Sequence, residues 1–364
     1  MKRILIAMLA MMLCAAGALA AGPGKITGPE GGAEYDGSKA RVFITKPGTY
    51  TIEDWITEAR GGQRIEIDGD VEGEVALNLR NVHLNTNRDA VRWYRSPYSS
   101  GEGSRTLRLV FENSEIASEN VSYCVYMLDV KDADNTLIIE GEAPKLTSSS
   151  NDCISIALGG GDTARVEIAA DNAQIVAAGS EKYVDAFHVN AVGGMTEISV
   201  TGKNVQITGA YSAFRIDGDA AISLTGSGAQ IAGGYAASIW GNSKSELILG
   251  ADVTLSATRQ MVERGGNVPV DVKVDGKTYP GICVMAADNA QGDNSNLIGE
   301  YEAMTTIEDK PYKYLRTVYV PRPEQPAVPD GLPETGDTQD VTLYAALLVL
   351  AAAGAVLLRK RKEA

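Results

Sequence analysis

The sequence predicts an all-β chain wound into a parallel solenoid, and two observations lead to this prediction. Pairs of short apolar segments recur between Asn135 and Leu255, with their second members 24 to 32 residues apart. A third short segment follows most pairs, and Gly, Asn, Asp and Ser join the segments. Three strands per repeat indicate a coil of three sheets. Counted backwards to Leu79, the repeat gives about seven turns, whose apolar pairs are Leu79/Leu84, Phe111/Ile116, Ile139/Leu146, Ile168/Ile175, Val200/Ile207, Leu224/Ile231 and Leu249/Leu255.

Composition agrees with such a coil and excludes one class of partner. The chain has 364 residues with 39 Gly and only 4 Phe, which suits tight β-turns and small core positions. Its formal net charge is −14. Because binding of nucleic acid by counterion release needs a positive surface, we expect no nucleic-acid partner.

The N-terminal part is predicted to begin with a removable secretion signal. Residues 1–20 combine the basic pair Lys2-Arg3, an apolar run and the small-residue motif Ala18-Leu19-Ala20, which together are typical of a signal peptide. Residues 21–40 are a Gly-rich extension without a clear pattern. The β-helix is expected over 41–265, with an N-terminal cap at 41–74 that includes Trp55, and turns from residue 75.

The C-terminal part of the coil is predicted to end in a β cap and a spacer. Residues 266–320 form the expected cap, in which Val270–Tyr279 is typical of a hairpin with Asp275-Gly276 at its turn. Residues 321–331 are rich in proline and predict an extended wall spacer.

The end of the chain resembles the cell-wall sorting signal of Gram-positive surface proteins. Leu332-Pro333-Glu334-Thr335-Gly336 precedes residues 337–364, which contain an apolar run from Val341 to Leu358 and the basic tail Arg359–Lys362. The run is long enough for a transmembrane helix, and the basic tail favours the cytoplasmic side. The resemblance implies that a sortase cleaves after Thr335, removes 337–364 together with Gly336, and joins Thr335 covalently to peptidoglycan.

The third segment of each turn supplies the candidate binding residues. Two apolar columns in this segment flank a polar column that faces outwards. Arginine and an aromatic ring in such a column could hold a sugar acid by bidentate hydrogen bonds and stacking. A polar outward column is also what any β-helix shows, so this role is a hypothesis. The candidate residues are Arg92, Tyr126, Ser155, His188 and Arg215.

Two further groups of residues have alternative interpretations. Asn151, Asp152 and Asp185 fall beside the polar column and could offer oxygens to calcium, or simply hydrogen-bond their own turns. Cys124 and Cys153 fall in one column on adjacent turns, within disulfide reach after export, although two reduced thiols would fit equally well.

The central region resembles the right-handed parallel β-helix proteins. The resemblance is carried by the stretches ITKPGTYTI, LNLRNVHLNTNRDAVRW and NTLIIEGEAPKLTSSSNDCISI, and it covers roughly residues 41–265. It is similar in particular to bacterial domains described as carbohydrate-binding, some of which use calcium. Tyr123-Cys124 and Asp152-Cys153 stand where those domains more often have Asp-Gly.

The expected function is therefore that of an adhesin, a wall-anchored β-helix that binds carbohydrate or another extracellular partner, such as a polysaccharide or a host-surface ligand. The alternatives are a polysaccharide lyase or glycoside hydrolase on the same scaffold, and a passive structural stalk. Calcium is the one cofactor that the sequence suggests.

Overall fold

The computed structural model describes residues 22–319, except for 58–60, 97, 99–102, 121, 130–132, 160–161, 180–182, 243–244, 266–268, 302–303 and 308–311. These residues belong to the first of two compact units, Met1–Pro321 and Arg322–Ala364. The described chain contains strands and no helix, as predicted. All its strands are connected by hydrogen bonds, because long strands such as Gly73–Thr86, Asp185–Val200 and Gln206–Leu224 run around the corners from one face of the coil to the next.

In chain order the strands are β1 (Lys25–Thr27), β2 (Ala33–Asp36), β3 (Arg41–Ile44), β4 (Gly48–Ile56), β5 (Arg64–Ile67), β6 (Gly73–Thr86), β7 (Val91–Arg95), β8 (Arg105–Glu112), β9 (Glu115–Ser118), β10 (Val125–Asp129), β11 (Asn135–Gly141), β12 (Lys145–Ser148), β13 (Ile154–Ala157), β14 (Thr163–Ile168), β15 (Gln174–Ala177), β16 (Asp185–Val200), β17 (Gln206–Leu224), β18 (Gln230–Ile239), β19 (Ser245–Leu249), β20 (Thr254–Ala257), β21 (Val262–Arg264), β22 (Val270–Asp275), β23 (Ile282–Ala287), β24 (Asn296–Tyr301), β25 (Met304–Ile307) and β26 (Tyr314–Tyr319).

Each turn of the coil passes through three parallel sheets. The first sheet stacks the opening half of β6, then β8, β11, β14, the end of β16, the end of β17, β19 and β22. The second stacks the end of β6, then β9, β12, β15, and the starts of β17 and β18, then β20. The third stacks β3, β5, β7, β10, β13, the start of β16, the middle of β17, the end of β18 and β21.

The pairing confirms the sequence repeat of about seven turns. Leu84, Ile116, Leu146, Ile175, Ile207, Ile231 and Leu255 lie opposite one another on successive strands of the second sheet. Both inward columns of the third sheet are buried, and Phe187 stacks on Phe214 with ring centroids 5.5 Å apart. Stacking side chains of one kind at the strand spacing of about 4.8 Å removes apolar surface from water along the whole axis.

The corner between the first and second sheets repeats a left-handed backbone conformation that the sequence reading missed. Most of its residues are Asn or Asp, which tolerate positive φ better than other side chains. Asn81 donates to Asp54 Oδ1 at 2.8 Å, and Asn204 donates to Asn172 Oδ1 at 3.2 Å, so the side chains also link adjacent turns. The column is Asp54, Asn81, Asn113, Ala143, Asn172, Asn204, Gly228 and Asp252.

The N-terminal end differs from the predicted cap. The parallel coil already begins at β3 and β4, which pair with β5 and β6. The antiparallel strands β1 and β2 come earlier, inside the region 21–40, where the sequence shows no pattern. β1 pairs with β4, and β2 pairs with β3. Trp55 is fully buried in the core, and the ring of Tyr35 covers it edge-on with centroids 6.0 Å apart. The cap is therefore made by β1 and β2.

The C-terminal end also corrects one expectation. Val270–Tyr279 does not form a hairpin, because β22 continues the first sheet in parallel with β19. Alternating burial in β22 matches a further coil strand, with Val270, Val272 and Val274 buried. The strands that follow add antiparallel pairing, because β25 pairs with β22, β23 pairs with β24 and β26, and β26 also pairs with β20.

Cys124 and Cys153 lie on adjacent turns as predicted, but both are free thiols in this structure. The two backbones are neighbours, since Cys124 N donates to the Cys153 carbonyl at 2.8 Å. Cys124 Sγ hydrogen-bonds to the Thr147 carbonyl at 3.1 Å instead of joining the second sulfur. Burial raises the pKa of the Cys153 thiol well above its ordinary value, which favours the protonated, unreactive form.

Candidate functional site

The third sheet carries outward-facing side chains on each turn, and one of them from each strand belongs to the predicted polar column. Strand pairing places Arg92 opposite Tyr126, Ser155 opposite His188, and Arg215 opposite Ser238. At about 4.8 Å per turn, Arg92 and Arg215 are roughly 19 Å apart along the axis. Over the strands from β3 to β21 the column is Phe43, Glu66, Arg92, Tyr126, Ser155, His188, Arg215, Ser238 and Glu263.

Tyrosine rings lie along the first half of the column. The guanidinium carbon of Arg92 lies 5.0 Å from the centre of the Tyr94 ring. Tyr126 stacks on Tyr123 with ring centroids 5.0 Å apart and planes 13° from parallel. Ser155 is only 6% exposed, so it is less available to a ligand than Arg92 and Tyr126, which are partly exposed.

The centre of the column is a charged cluster around His188. Its Nδ1 is 3.0 Å from Asp152 Oδ2, and its Nε2 is 3.2 Å from Asp217 Oδ2. Burial alone would lower the pKa of His188, but the hydrogen bonds to Asp152 and Asp217 outweigh it and raise the pKa to about 9. The imidazolium therefore carries both protons at neutral pH and donates to both carboxylates.

Asp185 lies beneath this cluster and is completely buried. Its Oδ1 accepts hydrogen bonds from the backbone nitrogen and the hydroxyl of Ser212, whereas its Oδ2 is buried without a partner. Burial raises the pKa of Asp185 to about 7, with a smaller contribution from Asp152. A carboxyl group with such a pKa is partly protonated under ordinary conditions.

Two of the three residues predicted for calcium, Asp152 and Asp185, are joined by a hydrogen bond, whereas the backbone nitrogen of Asn151 donates to the Ser148 hydroxyl at 3.3 Å. Asp152 Oδ1 accepts from the backbone nitrogen of Asp185 at 2.8 Å, and its other oxygen faces His188. Calcium takes six to eight oxygen ligands, commonly ionised carboxylates. Neither the protonated His188 nor the buried Asp185 suits such a site. Across the described residues, no group of three or more His, Cys, Asp or Glu side chains is arranged to hold a metal ion.

The far end of the column is bordered by tyrosines that the sequence reading did not select. Tyr183, Tyr211 and Tyr235, which we call the tyrosine cluster, have successive ring centroids 4.8 and 5.3 Å apart. Arg215 lies 5.4 Å from the Tyr183 ring, and Arg259 lies over both other rings. Two of these tyrosines could have been selected from the sequence, because Tyr211 and Tyr235 precede the column members Arg215 and Ser238 by four and three residues.

Hydrogen bonds hold this end of the surface in place. Glu263 Oε2 accepts from the Tyr211 hydroxyl at 2.7 Å and from the Ser238 hydroxyl at 2.6 Å. Trp240 donates to Ser238 at 3.0 Å and still leaves half of its surface exposed. Tyr183 is 54% exposed. Exposed rings beside an arginine provide flat apolar surface with a charged neighbour, which suits a sugar ring bearing polar groups.

Comparison with known proteins gives one match, at the C-terminus. Residues 326–364 match the family model of the LPXTG cell wall anchor motif. No curated protein and no solved structure matches the chain. The match confirms the predicted sorting signal and with it sortase processing and attachment to the wall. The sorting residues Leu332, Pro333, Glu334, Thr335 and Gly336 lie outside the described residues, as do the signal peptide and the apolar run 341–358. Within the described part, no helix could cross a membrane.

Proposed function

We propose that this protein, which is secreted and covalently attached to the cell wall of a Gram-positive bacterium, uses the outer face of its third sheet to bind an extracellular glycan. The observation that carries the proposal is the polar column in register over successive turns, with tyrosines beside it at both ends. The rigid coil fixes the spacing of these side chains, so binding needs little ordering of the protein.

Charge and shape both support a sugar ligand. Arg92 and Arg215 are each partly exposed and each lies against a tyrosine ring, four turns apart in the column. Between them the face offers carboxylates, an imidazolium and hydroxyl groups that donate or accept hydrogen bonds. An extended chain of sugars could contact several of these groups at once, which accumulates affinity from individually weak contacts.

The test is a binding screen with the secreted and sortase-processed chain, residues 21–335, against a panel of neutral and acidic glycans. We expect saturable binding that falls at least tenfold in each of Arg92→Glu and Arg215→Glu. The matched control is Arg80→Glu, whose side chain is 52% exposed on the first sheet. All variants should keep the circular dichroism of the parent. Binding that survives both changes would contradict the choice of this face.

A polysaccharide lyase or hydrolase is the second candidate, and the cluster around His188 is the observation that favours it. Acid–base catalysis needs a group with a pKa near the working pH, and Asp185, whose pKa burial raises to about 7, is hydrogen-bonded through its backbone to Asp152, which in turn contacts His188. Asp185 is fully buried, however, so it could act only through Asp152 or Ser212. Release of reducing or unsaturated ends in the same screen, lost in Asp152→Asn, would establish catalysis. If the screen shows neither binding nor turnover, the remaining alternative is a structural stalk.

A further inference from the structure

A cavity of about 380 Å³ opens at the corner before the third sheet, next to the first turns of the coil. It is lined by three arginines, Arg64, Arg88 and Arg92, together with the polar residues Asn87, Asp89 and Ser122. Three arginines around one cavity are unexpected in a chain whose net charge is −14. Only Arg92 belongs to the polar column described above, so the cavity is a different feature.

The guanidinium groups are not balanced by the carboxylates around them. One lining carboxylate, Asp89, faces all three arginines. Glu66 lies nearby and binds Arg64 Nε at 2.8 Å, but it also binds Arg41 at 2.7 Å. Arg41 has a second partner, because its Nε lies 3.7 Å from Asp36 Oδ2. Glu66 therefore compensates Arg64, and one positive charge remains in excess among Arg88, Arg92 and Asp89. Like charges held this close repel one another unless an anion lies between them.

Hydrogen-bonding capacity is also left over in the cavity wall. Arg92 Nε is buried and has no hydrogen-bond partner. Arg88 is exposed at the rim and, among the described residues, makes no ion pair. The rim is otherwise fixed, since the Ser122 hydroxyl donates to the Asn87 carbonyl at 2.8 Å and Tyr123 N donates to Asp89 at 3.3 Å. A rigid rim with free donors is prepared for an acceptor-rich ligand.

We propose that this cavity binds a tetrahedral oxyanion, the sulfate or phosphate group of an extracellular polymer. A carboxylate has two oxygens, which one arginine satisfies in a bidentate pair. Sulfate and phosphate esters present three free oxygens and so can use all three guanidinium groups. Sulfate and phosphate share this chemistry, and the experiment below separates them.

The first measurement compares small anions on the secreted, processed chain at constant ionic strength. We expect sodium sulfate or sodium phosphate to raise the Tm above that in sodium acetate, and calorimetric titration to give a saturable isotherm. In Arg88→Gln the affinity should fall at least tenfold while the Tm without anion is unchanged. Arg80→Gln, an exposed arginine on the first sheet, is the matched control. An equal effect of acetate, or unchanged affinity in Arg88→Gln, would overturn the proposal.

The second measurement identifies the source of the anion on one polymer backbone. The protein is passed over immobilised dextran, carboxymethyl dextran, dextran sulfate and dextran phosphate. Arg88-dependent retention on the sulfate or the phosphate form supports the proposal and names the group. Equal retention on carboxymethyl dextran would overturn it. Because Arg88 lies outside the polar column, loss of glycan binding in Arg215→Glu with retention unaffected separates this cavity from the proposed glycan face.

Discussion

At the scale of single residues, the centre of the third sheet is set by two groups that hold protons more tightly in the folded chain than in the unfolded chain. Asp185 has its pKa raised from 3.8 to about 7 by burial. His188 has its pKa raised from 6.5 to about 9, because its bonds to Asp152 and Asp217 outweigh burial and the repulsion of Arg215. For both, stability is fully present below the unfolded pKa and is lost as pH rises through the folded pKa.

The raised pKa values of Asp185 and His188 predict how the thermal stability depends on pH. The Tm should fall as pH rises from about 4 to 7, where the contribution of Asp185 is lost, and fall again from about 6.5 to 9, where that of His188 is lost. At about 1.4 kcal/mol per pKa unit, the contribution is on the order of 4 kcal/mol for Asp185 and on the order of 3 kcal/mol for His188. Asp185→Asn imitates the protonated acid and keeps an acceptor for Ser212, so the first fall should disappear and the second remain. Thermal melts across pH measure both.

The control for this experiment is Asp293→Asn, which changes an exposed aspartate on a loop. Its melts should follow the parent at every pH. If Asp185→Asn also follows the parent between pH 4 and 7, then burial does not raise the pKa of Asp185 in the folded chain.

At the scale of elements, the corner between the third and first sheets contains a buried ion triad. Asp129, at the end of β10, lies 3.2 Å from both Arg95 of β7 and Arg105 of β8, and all three side chains are fully buried. Arg105 also donates to Asn135 Oδ1 at 3.1 Å and to the Leu128 carbonyl at 2.9 Å. Burial lowers the pKa of Arg105 to about 10, with Asp129 opposing the shift. The triad thus ties two turns together beneath the corner.

Removing its one negative charge should be costly. Asp129→Asn leaves two buried guanidinium groups facing each other, and breaking a buried ion pair in this way costs about 3–5 kcal/mol. The measurement is the urea midpoint of unfolding. Glu112→Gln, which breaks the exposed pair between Glu112 and Arg80, is the matched control and should cost less than about 1 kcal/mol. Similar midpoints for the two variants would show that the triad does not hold the corner.

At the scale of the whole molecule, the folded coil and the sorting signal have different roles. The coil presents the candidate face, and residues 326–364 place the protein on the wall. Deleting Leu332–Gly336 should abolish covalent attachment, because sortase then has no cleavage site. Fractionation after muramidase digestion measures this, with the parent in the digested-wall fraction and the deletion absent from it.

Deleting five spacer residues, 325–329, is the matched control and should leave attachment intact. A deletion of the sorting residues that still appears in the muramidase-released fraction would mean that another part of the chain is joined to the wall.

The fold could be predicted because a solenoid repeats its constraint at every turn. Leu84 to Leu255 need the same apolar environment on each strand, so the period and the register of Arg92, Tyr126, Ser155, His188 and Arg215 are visible in the sequence. Elements that occur once carry no such repetition. The cap strands β1 and β2 escaped prediction for that reason, and Val270–Tyr279 looked like a hairpin although β22 belongs to the coil.

The sequence by itself determined the coil, its outward column and the attachment to the wall, because strand alternation and the sorting motif are local patterns. Only the tertiary structure decided what the column's neighbours do. It gathered Tyr183, Tyr211 and Tyr235, placed Asp152 and Asp217 on either side of His188, and brought Arg64, Arg88 and Arg92 around one cavity. These residues come from different turns and from corners of different length. Their distances and charges therefore depend on how successive turns stack, which no single stretch of sequence specifies.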